Sequence, residues 1–158
     1  MVNAILVGAG ATAFLDLTSA LRTWLFGTRA ANYGLVGRWL AHAARGRIVH
    51  EAIAKSPAVK GERLIGWSAH YAIGVAFAAA LLTAWPDWVS QPTLAPAMFV
   101  GMGSVLAPFL LMQPGMGAGF FASLTPDPNA ARLRSLITHA IFGLGLYVAG
   151  WARLIFLQ

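Results

Sequence analysis

Four stretches of the chain are apolar over nearly their whole length, and most of the polar residues fall in two blocks between them. A helix needs about 20 apolar residues to cross the hydrocarbon core of a bilayer. Windows of that kind run from about Val2 to Leu21, Leu64 to Ala84, Leu94 to Met112 and Leu136 to Leu157. They predict four transmembrane helices in a single all-α domain over residues 1–158, a four-helix transmembrane bundle. Spans one and two are joined by residues 22–63, spans three and four by 113–135, and spans two and three by the short Trp85–Thr93 loop. No basic stretch precedes the first window and Asp16 interrupts it, so it reads as a retained span and not a signal peptide.

The first long segment carries its own periodicity. Leu35, Val36, Trp39, Leu40 and Ala43 share one helical face, with Arg38, His42 and Arg45 on the other. Asn32 is placed to cap this helix and Gly46 to close it. The pattern predicts an interfacial amphipathic helix lying among the headgroups. A second short helix is expected around Ile48–Lys55, stopping at Ser56-Pro57. The other long segment, Gln113 to Asn129, is rich in Gly and Pro and reads as a surface or partly re-entrant loop. Asn129 is the expected cap of the fourth span, and Pro108 the expected kink of the third.

Composition removes the soluble alternative. The hydrophobic fraction is 58% and the charged fraction 10%, against roughly 25% charged in soluble domains. The mean hydropathy of +0.68 agrees. The net charge of +6 does not point to nucleic acid, because the basic residues cluster beside the spans. Arg22, Arg29, Arg38, Arg45, Arg47, Lys55, Lys60 and Arg63 lie in the first segment, Arg132 and Arg134 in the second, and Arg153 stands apart. By the positive-inside rule both segments are cytoplasmic, and both termini lie on the extracytoplasmic side. Trp24, Trp39 and Trp67 then mark the inner interface, and Trp85, Trp88 and Trp151 the outer one. Without cysteine there are no disulfides, thiolate metal sites or cysteine nucleophiles.

Spans two and four share a motif. An Arg-Leu pair, Arg63 or Arg132, is followed seven residues later by a histidine, His70 or His139, and four residues after that by Gly74 or Gly143. Spans one and three share the fainter Val7-Gly-Ala-Gly10 and Val100-Gly-Met-Gly103. Together these suggest two helical hairpins related by duplication, in parallel orientation.

Polar side chains inside the spans are the candidates for function. A carboxylate at mid-span costs about 2.5–3.5 kcal/mol on an insertion scale, so Asp16 requires protein or water beside it. Thr12, Asp16, Ser19 and Thr23 form one stripe. Counted from the nearest arginines, Asp16, His70 and His139 all lie roughly 8–10 Å inside the inner boundary, with Gln113 a little shallower. Each span thus offers one polar group to a common layer. Three readings fit: mutual hydrogen bonds that hold the bundle together, a divalent transition-metal site built on Asp16, His70 and His139, or a proton or small-solute relay. His42, His50 and Glu51 are available as further ligands on the inner segment, although adjacent His50 and Glu51 point different ways on a helix. No histidine-box motif is present, and the Gly115-x-Gly117-x-Gly119 run follows a membrane helix, so it is not a dinucleotide fingerprint. No catalytic residue is assigned, and whether the chain is an enzyme stays open. A four-span chain has little room for a channel of its own, so a homodimer or another membrane protein is the expected partner.

The motifs Asn32-Tyr33-x-x-Val36-Gly37-Arg38-Trp39, Gly61-Glu62-x-x-x-Gly66-Trp67-x-x-His70-Tyr71, Met112-Gln113-Pro114-x-Met116-Gly117 and Arg134-Ser135-Leu136-x-x-His139-x-x-Phe142-Gly143 cover nearly the whole chain. In combination they resemble the domain-of-unknown-function 2938 family. The resemblance implies a small four-span protein of the bacterial inner membrane and implies no activity.

Overall fold

A computed structural model describes residues 1–28 and 30–156. Arg29, counted above among the inner basic residues, and Leu157, the predicted end of the fourth span, lie outside the described residues. Among those described there are helices and turns and no strand. Helix α1 covers Val2–Phe26, beyond the predicted Leu21, and ends where Gly27 turns left-handed (φ 65°) and donates to Thr23 O. Helix α2 is Tyr33–Ala43, with the Asn32 side chain accepting from Gly34 N–H as expected of a cap.

The second inner helix does not form. Only a 3₁₀ turn, Ile53–Lys55, is present. Backbone groups of the preceding residues bond elsewhere: Ile48 O accepts from Trp39 Nε1 at 2.8 Å, and His50 N–H donates to Gly115 O at 2.9 Å.

Helix α3 is Glu62–Ala84, a 3₁₀ turn Pro86–Val89 follows, and α4 is Leu94–Gly103. Pro108 has no N–H to donate one turn back and its ring crowds the preceding carbonyls. The chain responds by widening into a π turn over Pro108–Met112, where Gln113 N–H reaches back to Pro108 O. Helix α5, Gln113–Met116, then carries the span on until Gly117 closes it at φ 92°. The third span therefore runs Leu94–Met116, longer than the apolar window showed. Another 3₁₀ turn, Phe120–Ala122, precedes α6, Pro128–Phe156. The cap of α6 is Asp127, whose Oδ1 accepts from Ala130 N–H at 3.0 Å, with Pro128 at the first helical position. The expected cap, Asn129, instead accepts from Arg132 Nη1 at 3.1 Å. Four segments, Val2–Phe26, Glu62–Ala84, Leu94–Met116 and Pro128–Phe156, are long and apolar enough to cross a membrane. By that measure the chain is a multi-pass membrane protein.

The residues form two compact units. One contains residues 1–30, 71–104 and 137–158. Here α1, the later turns of α3, α4 and the later turns of α6 surround a core of Val7, Ala11, Leu15, Ala78, Leu81, Trp88, Ala97, Phe142 and Leu146. Glycines set the helix spacing. A Cβ on Gly8 would meet the Val75 backbone, and one on Gly74 would strike Thr12 Oγ1, so α1 and α3 cross at bare backbone. Gly101 and Gly143 do the same for α4 and α6. Each predicted hairpin thus closes on the glycine that follows its histidine by four residues. In hydrocarbon there is no hydrophobic drive between helices, and such close contact supplies the attraction.

The other unit contains residues 31–70 and 105–136. Gly37 of α2 sits against the Glu62 carbonyl, and Gly66 of α3 against that of Tyr33, so α2 packs through small residues on the start of α3. Gly115 lies under the Trp39 ring and Gly117 against the Glu51 carbonyl. Within this unit the two segments that join the spans therefore hold each other.

Candidate functional site

Gly8, Thr12 and Asp16 recur every four residues on one face of α1. Thr12 Oγ1 donates to Gly8 O at 2.8 Å, which satisfies the buried hydroxyl within its own helix. One turn further in, the Tyr71 hydroxyl donates to Asp16 Oδ2 at 3.1 Å. This pair follows from the Gly74–Thr12 crossing, because antiparallel helices in contact there bring residues one turn away on each side together. Asp16 and Tyr71 are both half-buried. Further along the stripe, Ser19 O accepts from Thr23 Oγ1 at 3.0 Å.

His139 belongs to the α4–α6 crossing. Its Nδ1 lies 2.6 Å from Ser104 Oγ, and the same Oγ donates to Gly101 O at 2.6 Å. A carbonyl only accepts, so the single serine proton goes to Gly101 and Nδ1 carries the imidazole proton. Nε2 is then the basic nitrogen. Ser104 is 2% exposed and sits where α4 breaks ahead of Pro108.

In the other unit, the His70 ring stacks on Tyr33 with centroids 4.1 Å apart and meets Trp67 edge-on at 5.8 Å. Gln113 Nε2 donates to Ser135 Oγ at 3.3 Å. Its Oε1 is buried and has no hydrogen-bond partner among the described residues, a state that costs about 1–3 kcal/mol.

The histidines of the segment between α1 and α3 fold that segment. His42 Nε2–H donates to Pro57 O at 3.0 Å. His50, 3% exposed, donates from Nε2 to Arg47 O at 3.1 Å and accepts at Nδ1 from Ser56 Oγ at 2.9 Å. Both ring nitrogens of His50 are thereby engaged. Glu51 is exposed. At the centre is Arg38, which grips Glu62 with two bonds of 2.8 Å and also donates to Ala54 O and Ser56 O. Glu62 additionally accepts from Val59 N–H at 3.0 Å. The bond to Glu62 raises the Arg38 pKa above the ordinary guanidinium value, so the charge is permanent. Among the described residues, no group of three or more His, Asp or Glu side chains is placed to hold a metal ion.

Residues 5–153 match the model of a family described as protein of unknown function, DUF2938. The chain belongs to the DUF2938 family. No curated protein and no solved structure matches it. In this DUF2938 chain the predicted polar residues each have partners that sequence reasoning passed over: Tyr71 for Asp16, Ser104 for His139, Tyr33 for His70 and Ser135 for Gln113. All four partners bear a hydroxyl. Three of them, Tyr71, Ser104 and Tyr33, lie one turn or less from a glycine at which helices pack. That placement is the signal that was available in the sequence.

Proposed function

We propose that this protein takes up and releases protons, alone or with a small solute, at a polar layer of its spans on the cytoplasmic side of the bacterial inner membrane. Asp16 is the group that changes charge, and counting from the flanking arginines gives His70 and His139 a similar distance from the basic segments. The observation that carries this reading is the Asp16–Tyr71 bond inside the spans. A carboxylate at this depth is costly and by default functional. A tyrosine hydroxyl both donates and accepts, so it can bond to the carboxylate or to the carboxylic acid. The α1–α3 contact therefore survives a change of charge. His139 contributes Nε2, the nitrogen that its bond to Ser104 leaves basic.

A second reading is favoured by the same pairings: the polar groups hold the helices together and nothing else. Bonds of this kind between membrane helices are worth roughly 0.6–2 kcal/mol each. Infrared difference spectra of the reconstituted protein, recorded against pH, separate the two. Asp16→Asn keeps the shape and the acceptor oxygen. The proton reading expects a protonated-carboxyl band that changes with pH in the wild type and is missing in Asp16→Asn, with unchanged melting. If the wild type and Asp16→Asn give the same pH-dependent spectra, Asp16 does not exchange protons and the second reading stands.

A further inference from the structure

We infer that a groove between α1 and α6 binds one anionic phospholipid, with the headgroup phosphate on Arg153. The groove has a volume of about 450 Å³. Its floor is small, formed by Gly10, Ala13, Ala149 and Ala152, between the rings of Phe14 and Phe156. Gly10 and Ala149 are in direct apposition, with a Cβ on Gly10 only 3.0 Å from that of Ala149. From Leu6 to Leu17 along α1 the groove extends roughly 16 Å at 1.5 Å per residue. That is about half of the ~30 Å hydrocarbon core, the depth of one leaflet and one acyl chain.

Among the described residues, Arg153 is the one charged residue lining the groove. It lies in the last turn of α6, and its Nε donates to Asn3 Oδ1, near the start of α1, at 3.0 Å. Asn3 is neutral, and among the described residues no carboxylate forms an ion pair with Arg153. The other ten basic residues all flank the spans on the two segments read as cytoplasmic. A lone arginine at the opposite end works against that charge bias. A phosphate answers the anomaly, because a guanidinium presents paired donors matched to phosphate oxygens. An apolar slot one leaflet deep, with a guanidinium at its headgroup end that no described carboxylate neutralises, has the chemistry of an anionic phospholipid.

Native mass spectrometry of the detergent-purified protein tests this with palmitoyl-oleoyl phosphatidylglycerol and the matching phosphatidylcholine as probes. The wild type is expected to retain one phosphatidylglycerol about tenfold better than phosphatidylcholine, the factor expected of a charged hydrogen bond. Arg153→Gln should bring the two lipids to parity, and Ala13→Phe, which fills the slot, should reduce both. Arg153→Gln alters a half-buried side chain at a helix end, so it reads out even if Ala13→Phe does not fold. Equal retention of both lipids by the wild type overturns the assignment, as does undiminished preference in Arg153→Gln. A lipid-free dimer that dissociates on Ala13→Phe would assign the groove to a second copy of the chain instead.

Discussion

Gly101→Ala should lower the unfolding temperature of the detergent-solubilised protein sharply, whereas Gly103→Ala should leave it unchanged or raise it. The two glycines lie two residues apart near the end of α4, and composition alone does not distinguish them. A Cβ on Gly101 would run into Gly143 N and Cα and approach His139 O. These are backbone atoms, so no rotamer change relieves the clash and α4 and α6 must separate. Overpacking of this kind costs about 1–3 kcal/mol, and more when backbone must move. Separation would also stretch the bond between Ser104 and His139. A Cβ on Gly103 meets nothing within 4 Å. There alanine removes only the entropy cost of helical glycine, a gain of up to about 1 kcal/mol. Thermal melts of both variants in one detergent provide the check. Equal effects would mean that the α4–α6 crossing is not as described.

Arg38→Ala should release the segment between α1 and α3 from its fold. One guanidinium joins α2 to the first turn of α3 through Glu62 and to the intervening strap through Ala54 O and Ser56 O. Arg38→Lys supplies charge without the fork and should fail to rescue. Limited trypsin digestion is the readout, because Lys55 and Lys60 lie in the strap and both are exposed. Wild type and Arg38→Ala differ in how tightly that backbone is held, so the variant should be cut there many times faster while its spans stay intact. Equal cleavage rates would show that the Arg38 bonds do not order the strap.

The four spans were legible because twenty apolar residues in a row suit the interior of a bilayer and little else. Their ends were less so. Gly27 extends α1 past Leu21, and Pro108 interrupts the third span without ending it, because a π turn absorbs the missing hydrogen bond. The segment between α1 and α3 shows where local pattern yields to tertiary bonds. Residues 48–50 read as helix, yet Trp39 and Gly115 claim their backbone groups. The depth of the polar residues was read only by counting along the sequence. Their partners were not legible there. The sequence draws attention to His70 and not to Tyr71 beside it, although adjacent side chains on a helix point about 100° apart. When both faces of a helix are apolar, periodicity does not encode its rotation, and Gly74 against Thr12 fixes it here. The Arg38–Glu62 pair spans 24 residues and carries no periodic signal at all.

A proton site open to the cytoplasm requires both basic segments on that side, with the polar layer of the spans just above them. The chain has no cysteine, so single cysteines report cleanly. A membrane-impermeant maleimide applied to intact spheroplasts should label Asp87→Cys on the loop between spans two and three. It should not label Lys60→Cys or Ser123→Cys until the membrane is opened. Labelling of Lys60→Cys or Ser123→Cys in sealed spheroplasts, with Asp87→Cys protected, would contradict the orientation and place the Asp16 layer on the other side.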